Sequence, residues 1–289
     1  MHKEIGEAFV AAIVAKARER NLLLAAIVVR DDSNLDWATF RDVTQNPVYF
    51  DEAGWACQYL RGNLDAIVTP DGRMQQPLLA IRETVPAPPG ADDYHGGILS
   101  AMLYLPYHGN YRGVGTIAIG GPDTDALYAL LDMARAYFAV EMVPKLQLVL
   151  LTERLLNHVV EFARAAETLA HLSVFRGGED NVACWTGGGA VPPGYSASAA
   201  ARWVDYGRWV GQIVTPAMLP SLVEGDPFAL PLCVPAADEA APKNLVPVGL
   251  FLVTTGDEEA GRRLVEEASR FLPQLVTEYG LGAVGEAPS

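Results

Sequence analysis

The chain has 289 residues, of which 50% are hydrophobic and 19% charged, a composition typical of globular rather than disordered proteins. This length suits two domains of ordinary size. The net charge of −14 argues against nucleic acid and anionic membranes as partners, because their phosphates attract clustered Lys and Arg. The three cysteines are too scattered for a disulfide framework or a thiolate metal site, and the five histidines lack metal-binding spacing.

The N-terminal segment has apolar residues at helical spacing, from Ile5 to Ala17, which predicts an amphipathic helix over residues 3–20. Its acidic start and short apolar stretch are unlike a secretory signal peptide. No apolar run is long enough to cross a bilayer. We therefore expect a cytoplasmic protein.

Further along the chain, a continuous apolar run over residues 22–29 predicts a buried strand, and residues 51–62 predict a short helix. The clearest β signal is a pair of apolar runs, residues 98–107 and 113–119, around a turn that contains Gly and Asn. It predicts an antiparallel hairpin. A helix is expected to follow from Asp123 or Thr124, either of which can serve as an N-cap.

The second half repeats this ending, with predicted strands at 228–234 and 246–253 and a helix after Asp257. Between the halves, residues 124–171 predict nearly unbroken helix, interrupted at Pro144. Beyond that proline, apolar residues recur at spacings of three and four, close to a heptad seam. We expect a linker helix that also pairs two protomers; the alternative is a helix that packs on its own domain. The seam comprises Leu148, Leu151, Leu155, Val159, Phe162, Ala166 and Leu169.

One short phrase occurs twice. Both copies begin at a tryptophan, continue with Tyr-x-Arg and end in Ile-Val-Thr-Pro, at residues 55–70 and 203–216. The offset is 146 at the Ile-Val-Thr-Pro end, which we expect to be a sheet strand in each copy, and 147 at the tyrosine. A repeat of half the chain indicates two copies of one domain rather than a solenoid. We predict domains at 1–143 and 144–289, with the linker helix over about 144–171.

The hairpins carry a resemblance to a known family. Leu103–Pro106 with Gly113-Val114-Gly115, and Leu232–Pro235 with Pro247-Val248-Gly249, resemble the hairpin of GAF domains. The resemblance implies an α+β fold with two GAF-like domains, each an antiparallel sheet flanked by helices, joined by a long helix. It also implies a sensor module with a ligand pocket beside the sheet. The Asn-Lys-Phe-Asp-Glu motif of cyclic-nucleotide-binding members and the Cys-His dipeptide of bilin-binding members are both missing from the sequence.

The head of the repeated phrase is the best ligand-binding candidate, because indole, phenol and guanidinium groups together suit a planar anionic ligand. The alternative is that these aromatic residues simply pack on the sheet. No motif indicates a catalytic or metal site, and the sequence does not identify a cofactor. We predict a non-enzymatic sensor, a homodimer with a possible downstream regulatory partner; the alternative is an enzyme that uses Cys57 or Cys184 on a small anionic metabolite. The candidate residues are Trp55, Tyr59, Arg61, Trp203, Tyr206 and Arg208.

Overall fold

The computed structural model of the chain describes residues 3–31, 36–62, 79–80, 97–107, 110–176, 182–187, 195–224, 226–236 and 244–281. The chain forms two compact units, unit 1 over residues 1–144 and unit 2 over residues 145–286. Each combines helices with an antiparallel sheet, so the predicted α+β class is confirmed. In the described ranges, no helix has both the length and the apolarity that crossing a bilayer requires.

The elements of unit 1 follow the predicted order, with the hairpin and both flanking helices in place. Helix α2 begins three residues before the predicted position, because Asn46 caps it by accepting a hydrogen bond from the Val48 N–H at 3.1 Å. In chain order the elements are α1 (Lys3–Glu19), β1 (Ala26–Asp31), β2 (Asp36–Arg41), α2 (Val48–Gly62), β3 (Leu79–Ala80), β4 (Ile98–Tyr107), β5 (Asn110–Gly120) and α3 (Thr124–Tyr137), followed by a π-helical turn (Phe138–Met142).

The described strands of unit 1 form one antiparallel sheet in the order β2-β1-β5-β4-β3. Helix α2 covers one face, where Val28 and Ala118 lie in the core cluster that it seals. Side chains alternate along a strand, so the neighbouring Ile27 and Ile119 point to the opposite face, which α1 and α3 cover. All four residues are at most 2% exposed, so both faces of the sheet are buried.

Unit 2 is built in the same way, with two strands and a helix ahead of a hairpin and a closing helix. Its elements are α4 (Val143–Ala165), β6 (His171–Arg176), β7 (Val182–Thr186), α5 (Tyr195–Gly207), a 3-10 turn (Pro216–Met218), α6 (Leu219–Leu222), β8 (Ala229–Pro235), β9 (Leu245–Thr254) and α7 (Glu258–Glu278).

The described sheet of unit 2 has the order β7-β6-β9-β8, which is the unit 1 order without a counterpart of β3. Both hairpins also carry a register shift at the same place, after Leu103 in β4 and after Leu232 in β8. On the face away from α5, helices α4 and α7 meet where His158 Nε2 lies 2.8 Å from Glu267 Oε1, with the His158 ring stacked on Phe271. The shared strand order and the shared register shift support the internal duplication.

Two predictions about the helix between the halves need correction. The helix does not continue to residue 171: α4 ends at Ala165, and residues 171–176 form strand β6. It ends because the chain turns left-handed at Glu167, with a φ of 52°. The middle of the seam is also filled, because Leu151, Leu155 and Val159 are fully buried in the folded chain, whereas Phe162, Ala166 and Leu169 at its end are exposed. The three buried residues therefore pack within the chain itself, as the alternative interpretation of the helix expects.

The predicted strand at the end of the repeated phrase is wrong in the second copy. Ile213 is 60% exposed, Val214 makes only an isolated bridge to Leu245, and a 3-10 turn begins at Pro216. The proline explains this, because it lacks the N–H that a sheet ladder requires. The corresponding residues of the first copy, 67–70, lie outside the described part of the chain.

Candidate functional site

In unit 1, helix α2 presents the head of the repeated phrase to the sheet. Trp55 and Tyr59 lie one turn apart, and both are half-buried against the cluster that contains Cys57 and Leu60. The side chain of Arg61 lies outside the described residues. The rim of this cluster is aromatic, with Tyr49, Phe50, Trp55, Tyr59 and Tyr104 all half-buried around it.

In unit 2, the equivalent aromatic residues fill the space between helix and sheet. The ring of Trp203 stacks on Phe175 with centroids 5.4 Å apart and planes 18° apart, and it also contacts Tyr206 at 5.9 Å. Tyr206 is 2% exposed, and burial is the main cause that raises its pKa above the usual range. Arg208 is exposed, with its guanidinium carbon 5.5 Å from the centroid of the Trp209 ring. The second copy of the phrase thus contributes mainly to the core.

The two sheets can be compared position by position through their shared register. In unit 1 Asp31 pairs with Gly115, and in unit 2 Arg176 pairs with Gly249; on its other side each glycine pairs with the last residue before the register shift, Leu103 or Leu232. The residue before Asp31 in β1 and the residue before Arg176 in β6 therefore occupy equivalent positions in the two sheets. In unit 1 this residue is Arg30, paired with Thr116. In unit 2 it is Phe175, paired with Leu250. A polar cross-strand pair in one unit is thus replaced by an apolar pair in the other.

The Arg30–Thr116 pair lies on the face of the sheet that α2 covers. Thr116 also pairs with Met102, which belongs to the cluster under α2, and directly opposed residues project to the same face. A Cβ on Gly54 of α2 would lie 3.6 Å from Arg30 Nη2, so the guanidinium reaches the helix. Phe175 and Leu250 likewise belong to the cluster under α5. The two pairs therefore lie at equivalent positions between helix and sheet.

Thr116 has an unusual hydroxyl group. The residue is 0% exposed, and its Oγ1 has no hydrogen-bond partner among the described residues. Such a group normally costs about 1–3 kcal/mol. Buried polar groups in native proteins are usually satisfied, so this one suggests a partner that the described residues do not supply. Arg30, half-buried at the adjacent position, is a donor suited to anions.

Comparisons with known proteins assign no family to this chain. No protein-family model matches it, and neither does any curated protein sequence. The function is therefore inferred from the two helix-covered sheet faces.

The cysteines of these faces have the properties of structural thiols. Cys57 is fully buried, and its Sγ donates to the Val28 carbonyl oxygen at 3.4 Å. Cys57 therefore packs in the core. Burial raises the pKa of Cys233 to about 11, which disfavours the thiolate that nucleophilic catalysis needs. The side chain of Cys184 lies outside the described residues. In the described ranges, no group of three His, Cys, Asp or Glu residues is arranged to hold a metal ion.

Arg30 and Thr116 are not predictable as site residues from the sequence pattern. Arg30 ends an apolar run and looks like the first solvated residue after a strand, and a threonine is ordinary in a β hairpin. The sequence signal that does exist is a comparison of the two halves, in which one copy has polar residues where the other has apolar ones. That comparison requires the strand register, which the structure supplies.

Proposed function

We propose that the protein is a non-enzymatic, cytoplasmic regulatory protein of two GAF-like units, in which unit 1 binds a small anionic molecule between α2 and the sheet. The observation that carries the proposal is the Arg30–Thr116 pair, which unit 2 replaces with Phe175 and Leu250. In unit 2 the stack of Trp203 on Phe175 occupies the equivalent space. Binding is therefore confined to unit 1.

The chemistry of the pair indicates what kind of ligand would bind. A guanidinium forms charge-assisted hydrogen bonds to carboxylate or phosphate oxygens, and the Thr116 hydroxyl can donate one more. The half-buried rings of Trp55, Tyr59 and Tyr104 at the rim of the same cluster offer flat surfaces for stacking. A small planar molecule with one anionic group fits this combination. Its binding would change how α2 packs on the sheet, which is the kind of shift that regulatory domains transmit.

The test uses 8-anilinonaphthalene-1-sulfonate, an anion with a flat naphthalene ring system whose fluorescence rises on transfer from water. We expect one site per chain in a titration of the full protein. Arg30→Ala should weaken binding about tenfold or more, because a hydrogen bond to a charged group contributes about 1.5–3 kcal/mol. Arg208→Ala, which removes an exposed guanidinium of unit 2, is the matched control and should leave binding unchanged. Equal affinity in the wild type and Arg30→Ala would overturn the proposal.

Native mass spectrometry of freshly purified protein provides an independent readout. A bound molecule that is retained by the wild type and by Arg208→Ala but lost from Arg30→Ala supports the site, and its mass identifies the ligand. A molecule retained equally by all three proteins would place the binding site elsewhere.

A further inference from the structure

One charged side chain of unit 2 is buried on the face of the sheet that α5 does not cover. Arg176 is the last residue of β6 and is only 8% exposed. The preceding residue, Phe175, belongs to the cluster under α5, and side chains alternate along a strand. Arg176 therefore points to the opposite face. Arginine is almost never fully buried unless its charge has a partner.

The described residues leave two N–H groups of this guanidinium without an acceptor. Nε and Nη1 of Arg176 are both buried, and neither has a hydrogen-bond partner there. Its neighbours on the sheet cannot supply one from their side chains, because Val174 is apolar and Gly249, directly opposite on β9, has no side chain. A guanidinium also cannot lose its proton to escape the cost of burial. Arg176 therefore needs an acceptor from elsewhere.

Glu153 of α4 lies close to Arg176 but does not satisfy these donors. Burial raises the pKa of the half-buried Glu153, and the positive charge of Arg176 partly opposes this effect, which shows that the two groups are near each other. The Glu153 carboxylate nevertheless accepts no hydrogen bond from Nε or Nη1. Both N–H groups therefore remain available to a further acceptor.

We propose that Arg176 binds the oxyanion of a small molecule, a phosphate or carboxylate group, on the face of the unit 2 sheet opposite α5. Oxyanions are the acceptors that guanidinium groups bind most strongly, and a buried setting strengthens such charge-assisted hydrogen bonds. This ligand is separate from that of the proposed function, which is confined to the space between α2 and the sheet of unit 1. Arg30 takes no part in binding it.

The test is isothermal titration calorimetry of the full chain with inorganic phosphate and, separately, with acetate. All proteins carry Arg30→Ala, so that the site proposed in unit 1 does not contribute. We expect saturable binding of one anion per chain, and the tighter binder identifies the preferred group. Adding Arg176→Met should weaken binding at least about tenfold. Arg202→Met is the matched control, because it removes a half-buried arginine of the same unit that is already paired with Asp226 at 3.1 Å, and it should leave the affinity unchanged.

Two further variants keep the test decisive if Arg176→Met does not fold. Arg176→Lys keeps the positive charge but not the forked donors, and it should weaken binding at least about threefold. Glu153→Gln removes a negative charge near the guanidinium and should tighten binding at least about threefold, because like charges repel. Circular dichroism checks the fold of each variant. If neither anion binds, or if folded Arg176 variants bind as tightly as their parent, water is the acceptor of the two N–H groups and the proposal is overturned.

Discussion

Removing the Thr116 hydroxyl should stabilise the protein while it weakens ligand binding. Thr116→Val keeps the branched shape and replaces a fully buried hydroxyl, which has no hydrogen-bond partner among the described residues, with a methyl group. An unsatisfied buried group costs about 1–3 kcal/mol, so we expect the free energy of unfolding to rise by about 1–2 kcal/mol. For a unit of this size that corresponds to about 2–4 °C in Tm per kcal/mol. Differential scanning calorimetry of dialysed protein measures the shift.

Thr152→Val provides a control of opposite sign. Thr152 is also 0% exposed, but its Oγ1 donates to the Val149 carbonyl oxygen at 2.8 Å. Losing this bond should lower the free energy of unfolding by about 0.5–1.5 kcal/mol. If Thr116→Val destabilised the protein as Thr152→Val does, the Thr116 hydroxyl would have a partner within the chain. The reasoning that links it to a ligand would then fail.

Two further changes test the turn after α4 and the pH response of unit 2. Glu167→Gly should raise the free energy of unfolding by about 1 kcal/mol in urea denaturation, because Glu167 adopts a left-handed φ of 52° that glycine tolerates. Asn21→Gly, at a φ of 54°, should change the free energy of unfolding less, because asparagine suits this region. Equal gains in the two variants would contradict the explanation. Burial lowers the pKa of His171 below 6.5, so the unfolded state binds more protons and stability should fall as the pH drops below 6.5. His171→Gln should flatten this part of a pH series of unfolding curves, and an unchanged slope would show that other groups cause it.

The parts of the fold that were predictable from sequence are those with strong local patterns. Both hairpins have long apolar runs that flank turn residues, and α1 has a clean apolar stripe. Strand β6 was missed because the chain leaves α4 at Glu167 without the glycine that usually marks a left-handed helix end. Apolar spacing also runs on to Leu169, which favours a longer helix. Strands β2 and β7 were not predicted, because their six and five residues are too few to give a clear local pattern.

The proposed site depends on the pairing register of β1 and β6, which cannot be obtained by aligning the two halves of the sequence at one offset. The turns that end α1 and α4 are 146 residues apart, at Asn21 and Glu167. At that offset Arg30 would align with Arg176, and the two halves would look alike. The strand pairing instead places Phe175 at the position of Arg30, because unit 2 has one residue fewer between the turn and its first strand. A difference of one residue moves a side chain to the other face of a sheet.

The strand order also has a consequence for synthesis of the chain. In unit 1 the interior strand β1 pairs with β5, from Ala26 opposite Gly120, so the first strand made completes its pairing only with the last. Until residue 120 has left the ribosome, the apolar residues Ile27, Val28 and Val29, all at most 2% exposed in the folded chain, can pair only with β2 and lack their neighbour on the other side. Pairing of strands so distant in sequence makes folding slow. Each unit therefore passes through a period in which a hydrophobic strand is open to chaperones and to aggregation.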